Sequence, residues 1–148
     1  MGKEKYALQI DADKLSYEFI SEGPKGKVLK VVLYQHIVEN IYNLAFGDSI
    51  GLSKDFDDFV RTNNNDTEKV LLTVASTLYL FFEKYDGTLV IAKGSTHSRT
   101  RLYRKYLSAF LEIIEADFEL YGELDGKLER FKKGTDYNFF MINKVSAK

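Results

Sequence analysis

Cysteine is absent from this chain of 148 residues, and proline and histidine are scarce. Without cysteine the protein has no disulfide, no thiol nucleophile and no thiolate metal ligand, a usage that is typical of a reducing compartment. The single proline, Pro24, argues against proline-rich linkers and recognition segments. Two histidines, His36 and His97, are too few for a metal site without cysteine, so we expect neither a bound metal nor a cofactor.

An excess of charge of one sign is also missing. Lysine and arginine together number 21, aspartate and glutamate 22, and the net charge is −1. General nucleic-acid binders normally carry a strong basic excess, so that class is excluded and only a local basic patch remains open. The sequence starts without the apolar run of a signal peptide, and its apolar stretches are shorter than a membrane span. We therefore expect a soluble cytoplasmic protein with no membrane partner.

Apolar and aromatic residues, in contrast, are plentiful. Hydrophobic residues make up 45% of the chain and aromatic residues 14%, which is enough for a core and excludes a disordered protein. A chain of this length fits one domain, so we predict a single α+β domain over residues 1–148.

The periodicity of the apolar residues changes along the chain from alternation to helical spacing and back. Strands are predicted at residues 6–10, 15–21, 28–37, 41–46, 88–92, 118–124, 127–131 and 137–144. The strand at 88–92 is nearly all apolar, which indicates a central place in the sheet. One helix is predicted from its N-cap Asp66 to about residue 85, and a second from about residue 96 to about residue 116.

The predicted order of elements is therefore ββββ-α-β-α-βββ. Runs of strands interrupted by helices in this way are typical of an α+β domain. We expect a mostly antiparallel sheet of about six to seven strands with two helices on one face.

The start of the second predicted helix carries positive charge at a position where helices favour negative charge, because the free N–H groups there already hold roughly half a positive charge. Gly94 permits a tight turn and the close approach of a ligand, and hydroxyl groups and arginines follow it. These residues together predict a phosphate site: Gly94, Ser95, Thr96, Ser98, Arg99 and Arg101.

A structural role for the same turn stays open. One of the hydroxyl residues would then cap the helix, and Arg99 would pair with a carboxylate such as Asp48 or Glu22. Arg99 shares its helical phase with Tyr103 and Tyr106, so we expect it to be partly buried.

Two further groups of residues are candidates for function. Lys25 and Lys27 lie in a tight turn, where they either hold a phosphate backbone or form a charged hairpin turn. If the protein is an enzyme, His97 or Asp48 is the candidate for proton transfer, although no known catalytic motif is present.

The chain resembles, along nearly its whole length, a family of small bacterial proteins catalogued as a domain of unknown function. The runs that carry the resemblance are Tyr17-Glu18-Phe19, Ser21-Glu22-Gly23-Pro24-Lys25-Gly26, Tyr42-Asn43-Leu44-Ala45-Phe46-Gly47-Asp48, Asp57-Asp58, Asn64, Asp66, Glu68-Lys69-Val70-Leu71, Gly94-Ser95-Thr96 and Arg99-Thr100-Arg101-Leu102-Tyr103. The resemblance implies a bacterial origin and one self-contained domain. It implies no activity, cofactor or catalytic residue.

Two hypotheses for the function follow from the sequence. The first is a site for a phosphate-bearing ligand, either a nucleotide or a nucleic-acid backbone, at the start of the second helix, and by analogy a toxin or a defence component. The second is a non-catalytic interaction module that binds a protein partner or itself through surface aromatic residues, with Tyr79, Phe82, Phe139 and Phe140 as candidates. The sequence leaves open whether the protein is an enzyme.

Overall fold

The computed structural model describes residues 5–48, 65–94, 96–109 and 111–145, in which groups of strands are separated by helices. The elements, in chain order, are β1 (Gln9–Ile10), β2 (Ser16–Gly23), β3 (Gly26–Val38), β4 (Ile41–Asp48), α1 (Thr67–Lys84), β5 (Leu89–Ala92), α2 (His97–Ala109), α3 (Leu111–Asp117), β6 (Phe118–Leu124), β7 (Lys127–Arg130) and β8 (Phe139–Lys144). None of these helices has the length and apolar character needed to cross a membrane.

The strands form one eight-stranded sheet in the order β1-β2-β3-β4-β5-β8-β6-β7. Most neighbours pair antiparallel, whereas β4 and β5 pair parallel with Ile41 opposite Leu89. The predicted α+β class and mostly antiparallel sheet are thus confirmed. We expected about six to seven strands in the sheet, but all eight predicted segments belong to it, including the short β1, which pairs with β2.

The second predicted helix is represented in the structure by α2 and α3, which lie on either side of residue 110, a residue outside the described part of the chain. Of the apolar residues predicted in this segment, Ile114 is buried in α3 whereas Ile113 is 42% exposed. Adjacent residues point in different directions around a helix, so α3 buries the side that carries Ile114.

The chain divides into two compact units. The described residues of Met1–Tyr34 and Ala45–Asp86 form the first unit, and those of Gln35–Leu44 and Gly87–Lys148 form the second. The single domain that the sequence suggests therefore stays a prediction.

Aromatic side chains fill the core of the first unit. The ring of Tyr34 stacks on that of Phe81 in α1 with 4.3 Å between the centroids, and its hydroxyl shares a 2.7 Å hydrogen bond with Thr77. Tyr17 packs edge-on against Tyr34, and both are buried. Alternate residues of β2 are thus buried, as a period-two pattern predicts, whereas β3 buries the consecutive residues 30–32 as well as Tyr34.

Asp66 precedes α1, as predicted, but its side chain does not cap the helix. The carboxylate instead accepts hydrogen bonds from the hydroxyls of Tyr6, at 2.5 Å, and of Ser21, at 2.6 Å. Asp66 is therefore the N-cap residue that the sequence predicts, and its carbonyl accepts from the N–H of Val70, but its carboxylate binds two hydroxyl donors from distant parts of the sequence instead of the helix.

The strand β5 occupies the central position in the sheet that its apolar sequence predicts. It lies between β4 and β8, with Val90 opposite both Tyr42 and Ile142. Val90 and Ile142 are buried in the second unit. The end of β5 leads directly to Gly94 and α2, so this buried strand fixes the point from which the basic helix begins.

Candidate functional site: a basic groove beside the second helix

The turn between β5 and α2 is closed by Thr100. The backbone N–H of Gly94 donates to Thr100 Oγ1 at 3.0 Å, and the N–H of Thr100 donates to the carbonyl of Thr96 at 3.1 Å. Thr100 is buried, so its hydroxyl joins the turn to the first turn of the helix in a protected environment. The sequence pattern favours the hydroxyls of Ser95, Thr96 and Ser98 at this turn and gives no signal for that of Thr100.

A groove of about 580 Å³ runs beside α2. Its lining residues are Ser98, Arg101, Leu102, Arg104, Lys105 and Ser108 from α2, together with Lys133 and Gly134 from the loop between β7 and β8. The α2 residues recur at intervals of three and four, which places most of them on one face of the helix. Arg101, Lys105 and Lys133 are exposed, so the cationic ends of their side chains meet solvent.

Positive charge dominates this groove. The thirteen residues of α2, HSRTRLYRKYLSA, contain three arginines and one lysine and no acidic residue. The carboxylate of Asp136, in the loop between β7 and β8, lies 3.7 Å from Arg104 and 3.1 Å from His97. Since His97 and Asp136 are both more than half exposed, these contacts are solvated, and solvated ion pairs of this kind are weak.

A buried tyrosine holds the loop that supplies Lys133, Gly134 and Asp136. Tyr137 is fully buried, and its hydroxyl donates to Glu129 at 2.6 Å and accepts from the N–H of Lys132 at 3.1 Å. Burial and the hydrogen bond to Glu129 raise the pKa of this phenol. The ring lies directly over Gly122 in β6, where any side chain would overlap it.

Thus an aromatic ring that packs on a glycine fixes the position of the loop opposite α2. Asn138 strengthens the attachment, because its N–H donates to the carbonyl of Glu123 and its side-chain amide donates to the carboxylate of the same residue. The backbone of Gly134 has a positive φ of 83°, a conformation that glycine adopts without strain.

The structure gathers some of the predicted phosphate-site residues and leaves others undescribed. Ser98 and Arg101 line the groove, whereas Gly94 and Thr96 form the turn that precedes it. Ser95 and the side chain of Arg99 lie outside the described residues. The partial burial of Arg99 therefore stays a prediction, and its role, structural or functional, stays open.

The two candidates for proton transfer have different environments. His97 is the first residue of α2 and is 60% exposed, with Nε2 at 3.1 Å from Asp136 Oδ2. Asp48 lies in the first unit and is only 1% exposed; its Oδ1 accepts a 2.6 Å hydrogen bond from the ammonium group of Lys30. Exposure to a ligand from solvent therefore favours His97 over Asp48.

Lys25 lies in the turn between β2 and β3, and Lys27 is the second residue of β3; both belong to the first unit and are exposed. Lys27 is the register partner of Glu22 across the hairpin. Oppositely charged partners at this position are typical of a charged hairpin turn, and a role of these lysines in phosphate binding stays a prediction.

The polar face that the helical pattern predicts for α2 also contains Arg104, Lys105 and Ser108. The sequence alone does not connect these three residues with the candidate site. Their spacing from Arg101 is the signal that could have done so. Lys133 and Asp136 carry no such signal, because only the path of the loop brings them beside α2. Within the described ranges, no three histidine, aspartate or glutamate side chains are arranged to hold a metal ion.

Comparison with family models matches residues 2–145 to DUF6934, a family of unknown function. The match covers nearly the whole chain, which therefore belongs to this family, as the resemblance seen in its sequence implied. No curated protein and no solved structure matches the chain.

Proposed function

We propose that this member of the DUF6934 family binds the phosphate backbone of a nucleic acid in the groove beside α2. The observation that carries the proposal is the concentration of cations there. Arg101, Arg104, Lys105 and Lys133 line one groove in a chain whose net charge is −1. Like charges this close repel one another, and an anion in the groove relieves that repulsion.

Arginine and lysine contribute different kinds of interaction to such a site. The planar guanidinium groups of Arg101 and Arg104 suit two parallel hydrogen bonds to one phosphate, while Lys105 and Lys133 act as point charges. The hydroxyls of Ser98 and Ser108 add neutral donors at the two ends of the α2 lining.

A polymer backbone fits the groove better than a free nucleotide does. Among the described residues, the lining contains Leu102 as its apolar side chain and no aromatic ring on which a base could stack. Interactions between cations and phosphates without interactions with bases are independent of the nucleotide sequence. Nucleic acids are the targets of RNA-directed toxins and defence proteins, so either role is compatible with this proposal.

The alternative of a protein-interaction module has less support from the aromatic residues that suggested it. Phe82 and Phe140 are buried and belong to the core, whereas Tyr79 is 41% exposed. An observation that does favour a docking surface is the exposed pair Ile20 and Leu29, which are register partners on the β2–β3 hairpin. Two side chains form a small patch, so this function is the second candidate.

Fluorescence anisotropy with a labelled single-stranded RNA, measured at several salt concentrations, tests the proposal. We expect the logarithm of the association constant to fall linearly with the logarithm of the salt concentration. In the double variant Arg101→Ala/Lys105→Ala we expect weaker binding and a shallower slope, reduced by about 1 for each phosphate that the protein no longer neutralises.

The double variant Lys127→Ala/Lys144→Ala is the matched control, because both lysines are exposed in the same unit but do not line the groove. A third double variant, Lys25→Ala/Lys27→Ala, tests the hairpin turn independently. Absence of RNA binding at low salt, or equal losses of affinity in the groove variant and the control, would overturn the proposal.

A further inference from the structure

The imidazole of His97, which directly precedes the groove residue Ser98 in α2, forms a hydrogen bond with a carboxylate. Asp136 Oδ2 lies 3.1 Å from His97 Nε2, and Asp136 Oδ1 lies 3.7 Å from Arg104 Nη1. Arg104 lines the groove, so one carboxylate joins the imidazole to the wall that carries the cations. When Nε2–H donates to Asp136, the lone pair that accepts a proton is on the other ring nitrogen, Nδ1.

From this arrangement we infer that the protein cleaves RNA, with His97 as the general base and Asp136 as the residue that positions it. The inference rests on the proposed function, because the groove must first hold the phosphate backbone. It adds a reaction to that binding and restricts the substrate to RNA, since the reaction uses the ribose 2′-hydroxyl.

The reaction is a transfer of the phosphoryl group within one strand. His97 Nδ1 takes the proton of a 2′-hydroxyl, and the oxygen attacks the adjacent phosphorus, forming an O2′–P bond. The P–O5′ bond breaks, and the departing oxygen takes a proton from the imidazolium or from water. The products are a 2′,3′-cyclic phosphate and a free 5′-hydroxyl, and the reaction requires no oxidant, reductant or second substrate.

The groove cations serve the transition state of this reaction. Negative charge on the phosphoryl oxygens increases as the O2′–P bond forms, and Arg101, Arg104 and Lys105 are placed to stabilise it. Asp136 contacts Arg104 as well as His97, so one carboxylate lies beside both the base and one of the cations. The described lining residues are cations, serines, a leucine and a glycine, and interactions of such residues with the phosphate backbone depend little on the RNA sequence.

Asp136 has two opposite effects in this scheme, and they provide the sharpest test. Its charge competes with a phosphate for Arg104, but its hydrogen bond orients His97. We expect Asp136→Asn to bind RNA more tightly than the wild type and yet to cleave it more slowly. If Asp136 had a merely structural role, Asp136→Asn would both weaken RNA binding and slow RNA cleavage.

The experiment uses an end-labelled single-stranded RNA and a DNA of the same sequence, in buffer with EDTA, with the full-length protein in excess. The wild type is expected to convert the RNA to fragments that end in a cyclic phosphate and to bind the DNA without cleaving it. His97→Gln is expected to lower the cleavage rate by about a hundredfold or more, with RNA affinity within about twofold of the wild-type value.

His36→Gln is the matched control, because His36 is the other histidine and is also exposed. Its cleavage rate should equal that of the wild type. Circular dichroism melting curves show whether each variant is folded, and the exposure of His97 makes loss of the fold on substitution unexpected.

The possible failures are distinguishable. If the wild type binds RNA but leaves it intact, or if His97→Gln cleaves as fast as the wild type, the cleavage inference is overturned and the binding proposal stands. If the wild type binds no RNA at low salt, the binding proposal is overturned, and this inference falls with it.

Discussion

Individual tyrosine hydroxyls in the first unit have unequal environments, although the residues are neighbours. The hydroxyl of Tyr34 shares a 2.7 Å hydrogen bond with Thr77, whereas that of Tyr17 is buried without a hydrogen-bond partner within the described part of the chain. A buried polar group without a partner loses its hydration and gains nothing in return.

Removing these two hydroxyls should therefore have opposite effects. We expect Tyr17→Phe to raise the free energy of unfolding by about 1 kcal/mol, because the unpaired hydroxyl is removed. Tyr34→Phe should lower it by about 1 kcal/mol, because the buried hydrogen bond between Tyr34 and Thr77 is lost while Thr77 keeps only its hydrogen bond to the carbonyl of Val74. Urea denaturation followed by circular dichroism measures both, and equal changes in the two variants would contradict the difference between the hydroxyls.

The ion pair between Lys30 and Asp48 allows a second test at this scale. Both side chains are almost completely buried, and the distance between Lys30 Nζ and Asp48 Oδ1 is 2.6 Å. Lys30→Met leaves the Asp48 carboxylate buried without its ammonium partner, and we expect a loss of about 3–5 kcal/mol of unfolding free energy.

The combined variant Lys30→Met/Asp48→Asn should recover part of that loss, because no charge remains buried. Lys27→Met, on the same strand but exposed, is the control and should change the unfolding free energy little. Urea is the suitable denaturant for this comparison, since the salt of guanidinium chloride would weaken the electrostatic effect. A loss in Lys30→Met no larger than that in Lys27→Met would refute the structural importance of the pair.

Among the elements, β6 and the loop between β7 and β8 depend on each other through Gly122 and Tyr137. Gly122→Ala places a Cβ atom against the Tyr137 ring. We expect a loss of about 1–3 kcal/mol in unfolding free energy, since a packed interior resists added volume. The displaced loop also carries Lys133 and Asp136, so RNA binding should weaken in parallel.

A double-mutant cycle identifies the cause of this destabilisation. If the overlap with the ring is responsible, Gly122→Ala should cost much less in a Tyr137→Leu background than in the wild type. Equal costs in both backgrounds would show that the ring is not what excludes a side chain from position 122.

Elements whose signal is local are predictable from the sequence. The apolar run at residues 88–92 places β5 correctly in the centre of the sheet, and the predicted strand and helix bounds agree with the structure within a few residues at most positions. Prediction fails where distant residues compete for a side chain. Asp66 has the chemistry of an N-cap, yet Tyr6 and Ser21 bind its carboxylate.

The candidate site follows the same rule: its residues within one helix are predictable from the sequence, and its residues from a distant loop are not. Arg101 and Ser98 follow from the helix pattern, whereas Lys133 and Asp136 are far from α2 in sequence and reach the site only through the loop that Tyr137 holds. No local pattern encodes that proximity.

For the whole molecule, the buried phenols predict a loss of stability at high pH. Burial raises the pKa of Tyr17 and Tyr34 far above the ordinary value, and it also raises the pKa of Tyr6 and Tyr137. In the unfolded chain these groups ionise near pH 10. Above that pH the native state holds more protons than the unfolded state, so the free energy of unfolding falls as the pH rises.

Urea denaturation at a series of pH values between about 8 and 11 should therefore show constant stability up to about pH 10 and a steep decline above it. The double variant Tyr17→Phe/Tyr34→Phe should decline less steeply, because two of the responsible groups are removed. A decline that begins well below about pH 9, or one with the same slope in the double variant, would contradict this assignment.

The parallel pairing of β4 with β5 has a consequence for the order in which the protein folds. The β6–β7 hairpin closes around Asp125 and Gly126, whereas the β4–β5 pair must bring Ile41 beside Leu89 across a long intervening segment. Pairings between residues distant in sequence form late, because the entropy of closing the loop is given up before the pairing is gained. In a refolding experiment with pulsed hydrogen exchange, the amides of the β2–β3 and β6–β7 hairpins should thus gain protection first. The amides of β5 should gain protection later. Because α2 follows β5 in the chain, this basic helix should reach its final position only in the last phase of folding.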